Sequence, residues 1–138
     1  MSIQFNSINA EKLVASLPPK IEFSINLTLP SGEPVRRGTQ YHLPFIFSVS
    51  TKPPVIQIML KGIAIVMSSG DELDKLDKDV RARKIPSPII QAILVNSIAE
   101  SIILARSLGV PPPVPVPPQL GQQLMEQKKN KFGQESVI

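Results

Sequence analysis

The chain has no cysteine and no tryptophan, one histidine and one tyrosine, and aromatic residues make up only 4% of it. Without cysteine there is no disulfide, thiolate zinc site, iron–sulfur cluster or thiol nucleophile. A single histidine excludes a metal site built from three imidazoles of one chain. No phosphate-cradling Gly-rich loop, dinucleotide fingerprint or nucleophile elbow occurs. So few aromatics also leave no pattern of the kind that stacks unpaired RNA bases. These absences remove most common catalytic machinery, and no enzyme, cofactor or metal site is expected.

What remains is apolar and heavily punctuated. Hydrophobic residues make up 42% of the 138 residues and charged residues 19%, enough apolar material for one folded domain. The formal net charge is +4, but the basic residues form no stripe along any one segment, so nucleic-acid binding is not the leading expectation. It survives as a third reading through Val35-Arg36-Arg37-Gly38-Thr39, for which a charged hairpin loop is the plainer account. Met1 to Asn6 show neither a basic nor an apolar leader region, so no secretory signal is expected and the cytoplasm is the default compartment. Ile89 to Val110 is as long as a membrane span. Glu100 and Arg106 lie within it, and a charge at a bilayer centre costs about 2.5–3.5 kcal/mol. A buried helix without membrane insertion is the reading that follows.

Periodicity supplies the elements. Ile21, Phe23, Ile25, Leu27 and Leu29 alternate with Glu22, Ser24, Asn26 and Thr28, the two-residue period of a half-buried strand over Lys20–Leu29. A second strand is expected over Tyr41–Ser50, where Pro44 lacks an N–H and must sit at an edge or a bulge. A third covers Val55–Met67. There Ile56, Ile58 and Leu60 share one phase and Ile63, Ile65 and Met67 the other, which predicts a bulge at Lys61-Gly62. Ile3 and Phe5 mark a weaker N-terminal strand that runs into an irregular connection holding Leu13, Val14 and Leu17. His42 alternates outward and reads as a surface residue.

Ser69 and Glu72 have the spacing of a capping box and open a short helix expected over 71–83, with Leu73, Leu76 and Val80 as its apolar stripe. Asp71–Lys75, Asp74–Lys78, Asp77–Arg81 and Asp79–Arg83 are acid-before-base pairs four apart. They read as a solvated face rather than a metal site. A long helix is expected over 88–108, opened by Pro88 and closed by Gly109. Leu94, Val95, Ile98, Ala99, Ile102, Ile103 and Ala105 fill one arc of it. Ile89, Ile93, Leu104 and Leu108 lie on the other side among Asn96, Ser97, Glu100 and Ser101. A helix that covers a monomeric sheet needs one apolar face, so this second face, with Ile89, Ile93, Glu100, Leu104 and Leu108, is expected to meet another subunit. Six of the 15 prolines fall within 111–118, a loop over 109–118 that can be neither helix nor central strand. A tail helix over 119–130 and a disordered end over 131–138 complete a single domain spanning 1–130.

Four strands, a linker, a long apolar helix, a proline-rich connection and a tail helix stand in that order. Within it runs Ile85-Pro86-Ser87-Pro88-Ile89-Ile90, then Glu100-Ser101-Ile102-Ile103, then Gly109-Val110-Pro111-Pro112-Pro113-Val114-Pro115-Val116-Pro117-Pro118. Over about residues 3–130 the chain resembles the SecB family of protein-export chaperones. That resemblance implies an α+β fold with a four-stranded antiparallel sheet. It implies a homotetramer built as a dimer of dimers, with the long helices between two eight-stranded sheets. It also implies an ATP-independent holdase whose apolar grooves take non-native polypeptide, here beside Leu13, Val14 and Leu17 of the crossover and Val114, Val116, Leu120 and Leu124 after it. The short helix over 71–83 departs from the family pattern. So does the polar face of Lys20–Leu29, which offers only Glu22 where the family docks its translocation motor through acidic residues. A module dedicated to one partner protein is the alternative within the same fold.

Overall fold

The computed structural model describes residues 1–111. Val114, Val116, Leu120 and Leu124, the proline-rich loop beyond 111, the tail helix expected over 119–130 and the end at 131–138 lie outside the described residues. Within them the fold is α+β: an antiparallel sheet of five strands and two helices, the second one long. The strands are β1 (Ser2–Lys12), β2 (Glu22–Thr28), β3 (Val35–Arg37), β4 (Gln40–Lys52) and β5 (Ile56–Met67). The helices are α1 (Gly70–Arg81) and α2 (Ser87–Ser107). The sheet runs β1-β5-β4-β2, with β3 paired to the first residues of β4.

The four long strands sit where alternation predicts them. β3 is additional: Val35, Arg36 and Arg37 pair with His42, Tyr41 and Gln40 across a two-residue turn. Gly38 opens that turn at φ +60°, a conformation that favours glycine. β2 pairs with β4 from Ile46 onward and β3 with β4 up to His42. Pro44 falls in the gap between them, where its carbonyl accepts the Ser31 N–H at 2.9 Å. A strand interior to the sheet therefore tolerates proline because neither neighbour asks it for a hydrogen.

The bulge expected at Lys61-Gly62 of β5 is not there. β5 pairs with β4 without interruption from Ile58 opposite Val49 to Met67 opposite Gln40. The irregularity lies across the ladder in β1, between Phe5 and Ser7, opposite Gly62 and Lys61. Gly62 is the cause visible in the structure. A Cβ there would stand 2.5 Å from the Gln4 carbonyl oxygen and 2.7 Å from Phe45 Cζ. The missing side chain lets Phe45 lie over the strand and meet Phe5 edge-on at 6.1 Å between ring centres, and β1 absorbs the extra residue. Ile63, Ile65 and Met67 consequently keep the phase of an unbroken strand and face away from the helices.

The core forms between the sheet and the helices. Tyr41, Leu43, Phe45, Phe47 and Val49 of β4 and Ile56, Ile58, Leu60 and Ala64 of β5 are buried on one face. Each large side chain so buried contributes about 1.5–3 kcal/mol. α2 covers this face with Ile89, Ile93, Ser97, Ile98, Ser101 and Ala105. Ile98 and Ala105 are buried as expected, but so is part of the face expected to meet another subunit. Ile89 and Ile93 are spent on the protomer's own core, Leu104 and Leu108 pack against it, and Glu100 is half-buried. The arc left outward holds Val95, 42% exposed, Ala99 and Ile103, 57% exposed. Ser97 and Ser101 sit on the covered face and are fully buried. The Ser101 hydroxyl donates to the Ser97 carbonyl at 2.8 Å, the back-bond by which a serine can be held inside a helix, whereas the Ser97 hydroxyl has no partner among the described residues.

α1 is fixed by polar contacts more than by its helical pairs. Of the four spaced pairs only Asp77–Arg81 forms, at 3.0 Å. Asp74 instead pairs with Arg36 of β3. The capping box also fails: Ser69 makes no side-chain cap, and the Ser68 hydroxyl donates to Glu72. Leu73 and Val80 are buried as the stripe requires.

Candidate functional site

β1 and β2 are the two edges of the sheet, so residues 13–21 must carry the chain from one edge to the other. The Leu13 N–H donates to the Val55 carbonyl at 2.7 Å and anchors the start of this crossover. Thr51 shapes the neighbouring turn, its hydroxyl oxygen accepting from the Val55 and Ile56 N–H groups at 2.7 and 3.2 Å. Val14 and Ile21 turn inward onto the core. Leu13 and Leu17 do not: they remain 43% and 41% exposed.

α2 runs back towards this same end of the sheet. Its last turn closes with the Val110 N–H on the Ala105 carbonyl at 2.9 Å and with Gly109 at φ +70°, the left-handed exit that favours glycine. The exit brings Val110 and Pro111 beside the crossover. Leu17, Ile102, Arg106, Gly109, Val110 and Pro111 together line an open groove of about 490 Å³, within the size of about 300–1,000 Å³ usual for ligand sites. Five of the six contribute no polar side-chain atom. Sequence reasoning placed Leu17 here but missed Ile102, Arg106, Val110 and Pro111. The one available signal was that Gly109 both ends the helix and redirects the chain.

Of the expected polypeptide-binding residues, Leu17 lines the groove, Leu13 is exposed at the crossover's start, and Val14 is half-buried against the core. Val114, Val116, Leu120 and Leu124 fall beyond the described residues. His42 lies on the sheet face away from the helices, its Nε2 3.0 Å from Gln40 Oε1. Among the described residues no group of three His, Cys, Asp or Glu side chains is placed to hold a metal ion.

A second polar constellation sits at the opposite end of the sheet. The Tyr41 hydroxyl donates to Asp77 at 2.8 Å, Asp77 accepts from Arg81 at 3.0 Å, and Arg81 reaches Glu33 at 2.9 Å. Burial, then the Asp77 carboxylate, pushes the Tyr41 phenol above its ordinary value. The Tyr41 hydrogen bond, with Arg81 behind it, holds Asp77 below the usual carboxylate range. Arg36, which also donates to the Gly70 carbonyl at 3.1 Å, belongs to the same end. These groups tie α1 to β3 and β4. Arg36 is thereby engaged within the protein, which leaves Arg37 as the cation of that hairpin with no ion pair among the described residues.

α2 is long and apolar enough to cross a membrane by length and composition, and it lies here along the protein's own sheet. No family model matches the sequence, and no curated protein matches it.

Proposed function

We propose that the chain is a SecB-like, ATP-independent holdase that captures non-native polypeptide, a binding protein rather than an enzyme, acting in the cytoplasm. The observation that carries the reading is the apolar groove between Leu17 of the crossover and Ile102, Val110 and Pro111 at the end of α2. A holdase must recognise what unfolded chains share, exposed apolar side chains, and must do so with little shape selectivity. An open, shallowly polar groove bordered by an exposed crossover suits that task.

The reading includes a dimer of dimers. β1 is an 11-residue edge strand with no proline, charged only at Glu11 and Lys12; such an edge is a template for pairing with a second sheet. The outward arc of α2, with Val95, Ala99 and Ile103, offers the apolar surface for the second contact. In this reading the helix–helix face is that arc and not Ile89 and Ile93, which serve the protomer.

The test is suppression of aggregation when a chemically denatured model protein is diluted without ATP. The wild-type chain should protect, and the double variant Leu13→Ser, Leu17→Ser should protect less with its assembly state unchanged. Both leucines are exposed, so folding should survive. Absence of protection by the wild type, with one stoichiometric protein co-purifying from the native cell, would favour the dedicated-partner alternative.

A further inference from the structure

The groove carries one charge. Arg106 lines it among five residues without polar side chains, and it makes no ion pair with any described residue. Its helix cannot supply a partner: the positions three and four residues before it are Ile103 and Ile102, and the only acid on α2 is Glu100, six residues away and on another face. The arginines at the other end of the sheet differ, since Arg36 and Arg81 are each matched with a carboxylate. A guanidinium near a helix C-terminus does complement the helix dipole. Among the described residues that role leaves its forked donors without an acceptor, and they are suited to take one.

We infer that the groove selects polypeptide segments in which an apolar side chain is followed closely by a carboxylate, the apolar group lying against Leu17, Ile102 and Val110 and the Asp or Glu side chain pairing with Arg106. This rests on the holdase reading and adds a charge preference to it. The apolar contact supplies affinity, and the ion pair sorts clients: an aspartate or glutamate beside Leu or Ile is favoured, and a lysine there is repelled by like charge. An exposed ion pair is modest in water, so the preference is a bias among clients rather than a requirement.

The experiment uses the full chain and three fluorescein-labelled peptides, each with one Leu-Leu pair in an alanine and serine background. They differ only in the residue two positions on: Glu, Gln or Lys. Fluorescence anisotropy at low salt should rank them Glu, Gln, Lys, with adjacent members differing by about three- to fivefold, and the spread should shrink in added salt. Arg106→Gln should erase the ranking, bringing the Glu and Lys peptides to the affinity of the Gln peptide, and Arg106→Glu should reverse it. A purely structural Arg106 would shift all three peptides together and leave their ratios alone. Equal affinities for the wild type, or a ranking that survives Arg106→Gln, overturn the inference while leaving the groove reading standing. No binding of any peptide overturns the groove reading and the inference with it. Displacement of the Glu peptide at equal concentration by a synthetic peptide of residues 112–138 carrying Glu126→Gln and Glu135→Gln would assign the groove to the chain's own continuation from Pro111 with no carboxylate involved, and overturns the inference too.

Discussion

Two isoleucines on one helix should behave as residues of two different surfaces. Ile93 is fully buried against the sheet, whereas Ile103 is among the most exposed large apolar side chains of the described residues. Ile93→Ala removes three carbons from the packed layer between α2 and the sheet, where Ile93 is fully buried, and leaves a cavity there. Buried Ile-to-Ala changes cost about 2–5 kcal/mol, the transfer of the lost groups plus the void. The complete burial of Ile93 favours the middle of that range, about 3 kcal/mol. For a chain of this size that lowers Tm by about 10–15 °C. Ile103→Ala loses little within the protomer, within about 0.5 kcal/mol, but removes apolar surface from the arc assigned to assembly. Urea midpoints measured over a hundredfold range of protein concentration separate the two effects, because stability linked to association depends on concentration. Ile93→Ala should lower the midpoint by a similar amount throughout. Ile103→Ala should match the wild type at the lowest concentration and flatten the rise with concentration. If Ile103→Ala costs as much as Ile93→Ala at the lowest concentration, or if Ile93→Ala is harmless, the assignment of the helix faces is wrong.

Gly62→Ala should destabilise by about 1–3 kcal/mol, because the new Cβ forces Phe45 or the Gln4 backbone to move in a packed layer; a circular-dichroism melt at or above the wild-type Tm would contradict this. Asp77 has its pKa lowered in the folded state, so its contribution is present above the ordinary carboxylate value and is lost as pH falls through the folded one. The stability advantage of the wild type over Asp77→Asn should therefore be full above about pH 5 and close progressively at more acid pH; a gap independent of pH down to 2 would refute it. His42→Ala should leave both Tm and aggregation suppression unchanged, and loss of protection without loss of folding would give His42 a role it is not assigned here.

The strands were legible because alternation of apolar and polar residues survives folding on a sheet covered on one face. β4 buries Tyr41, Leu43, Phe45, Phe47 and Val49 in strict turn. β5 misled for the opposite reason. Its outward residues Ile63, Ile65 and Met67 are apolar too, so hydropathy could not tell a change of phase from a strand apolar on both faces. The bulge itself was legible only as a glycine, and it lies on the neighbouring strand because ladder irregularities are shared between partners. α2 misled through its serines. Ser97 and Ser101 looked like a wet face but are fully buried, while three members of the apolar arc, Val95, Ala99 and Ile103, face outward. Arg36 and Asp74 lie 38 residues apart, and nothing local in the chain marks them as a pair. The groove was half legible: the crossover leucines stood out as unplaced apolar residues, whereas Arg106 and Val110 became neighbours of Leu17 only through the sheet's edge-to-edge connection.

The central claim is that unfolded polypeptide lies in the groove beside Leu17. A photo-crosslinking amino acid placed at position 17 of the full chain, and in a control chain at the largely exposed Met67 on the other face of the sheet, tests it most directly. After dilution of a labelled denatured protein and illumination, the account predicts a strong client adduct from position 17 and little from position 67. Equal adducts from both positions, or none from position 17 while aggregation is still suppressed, would contradict it.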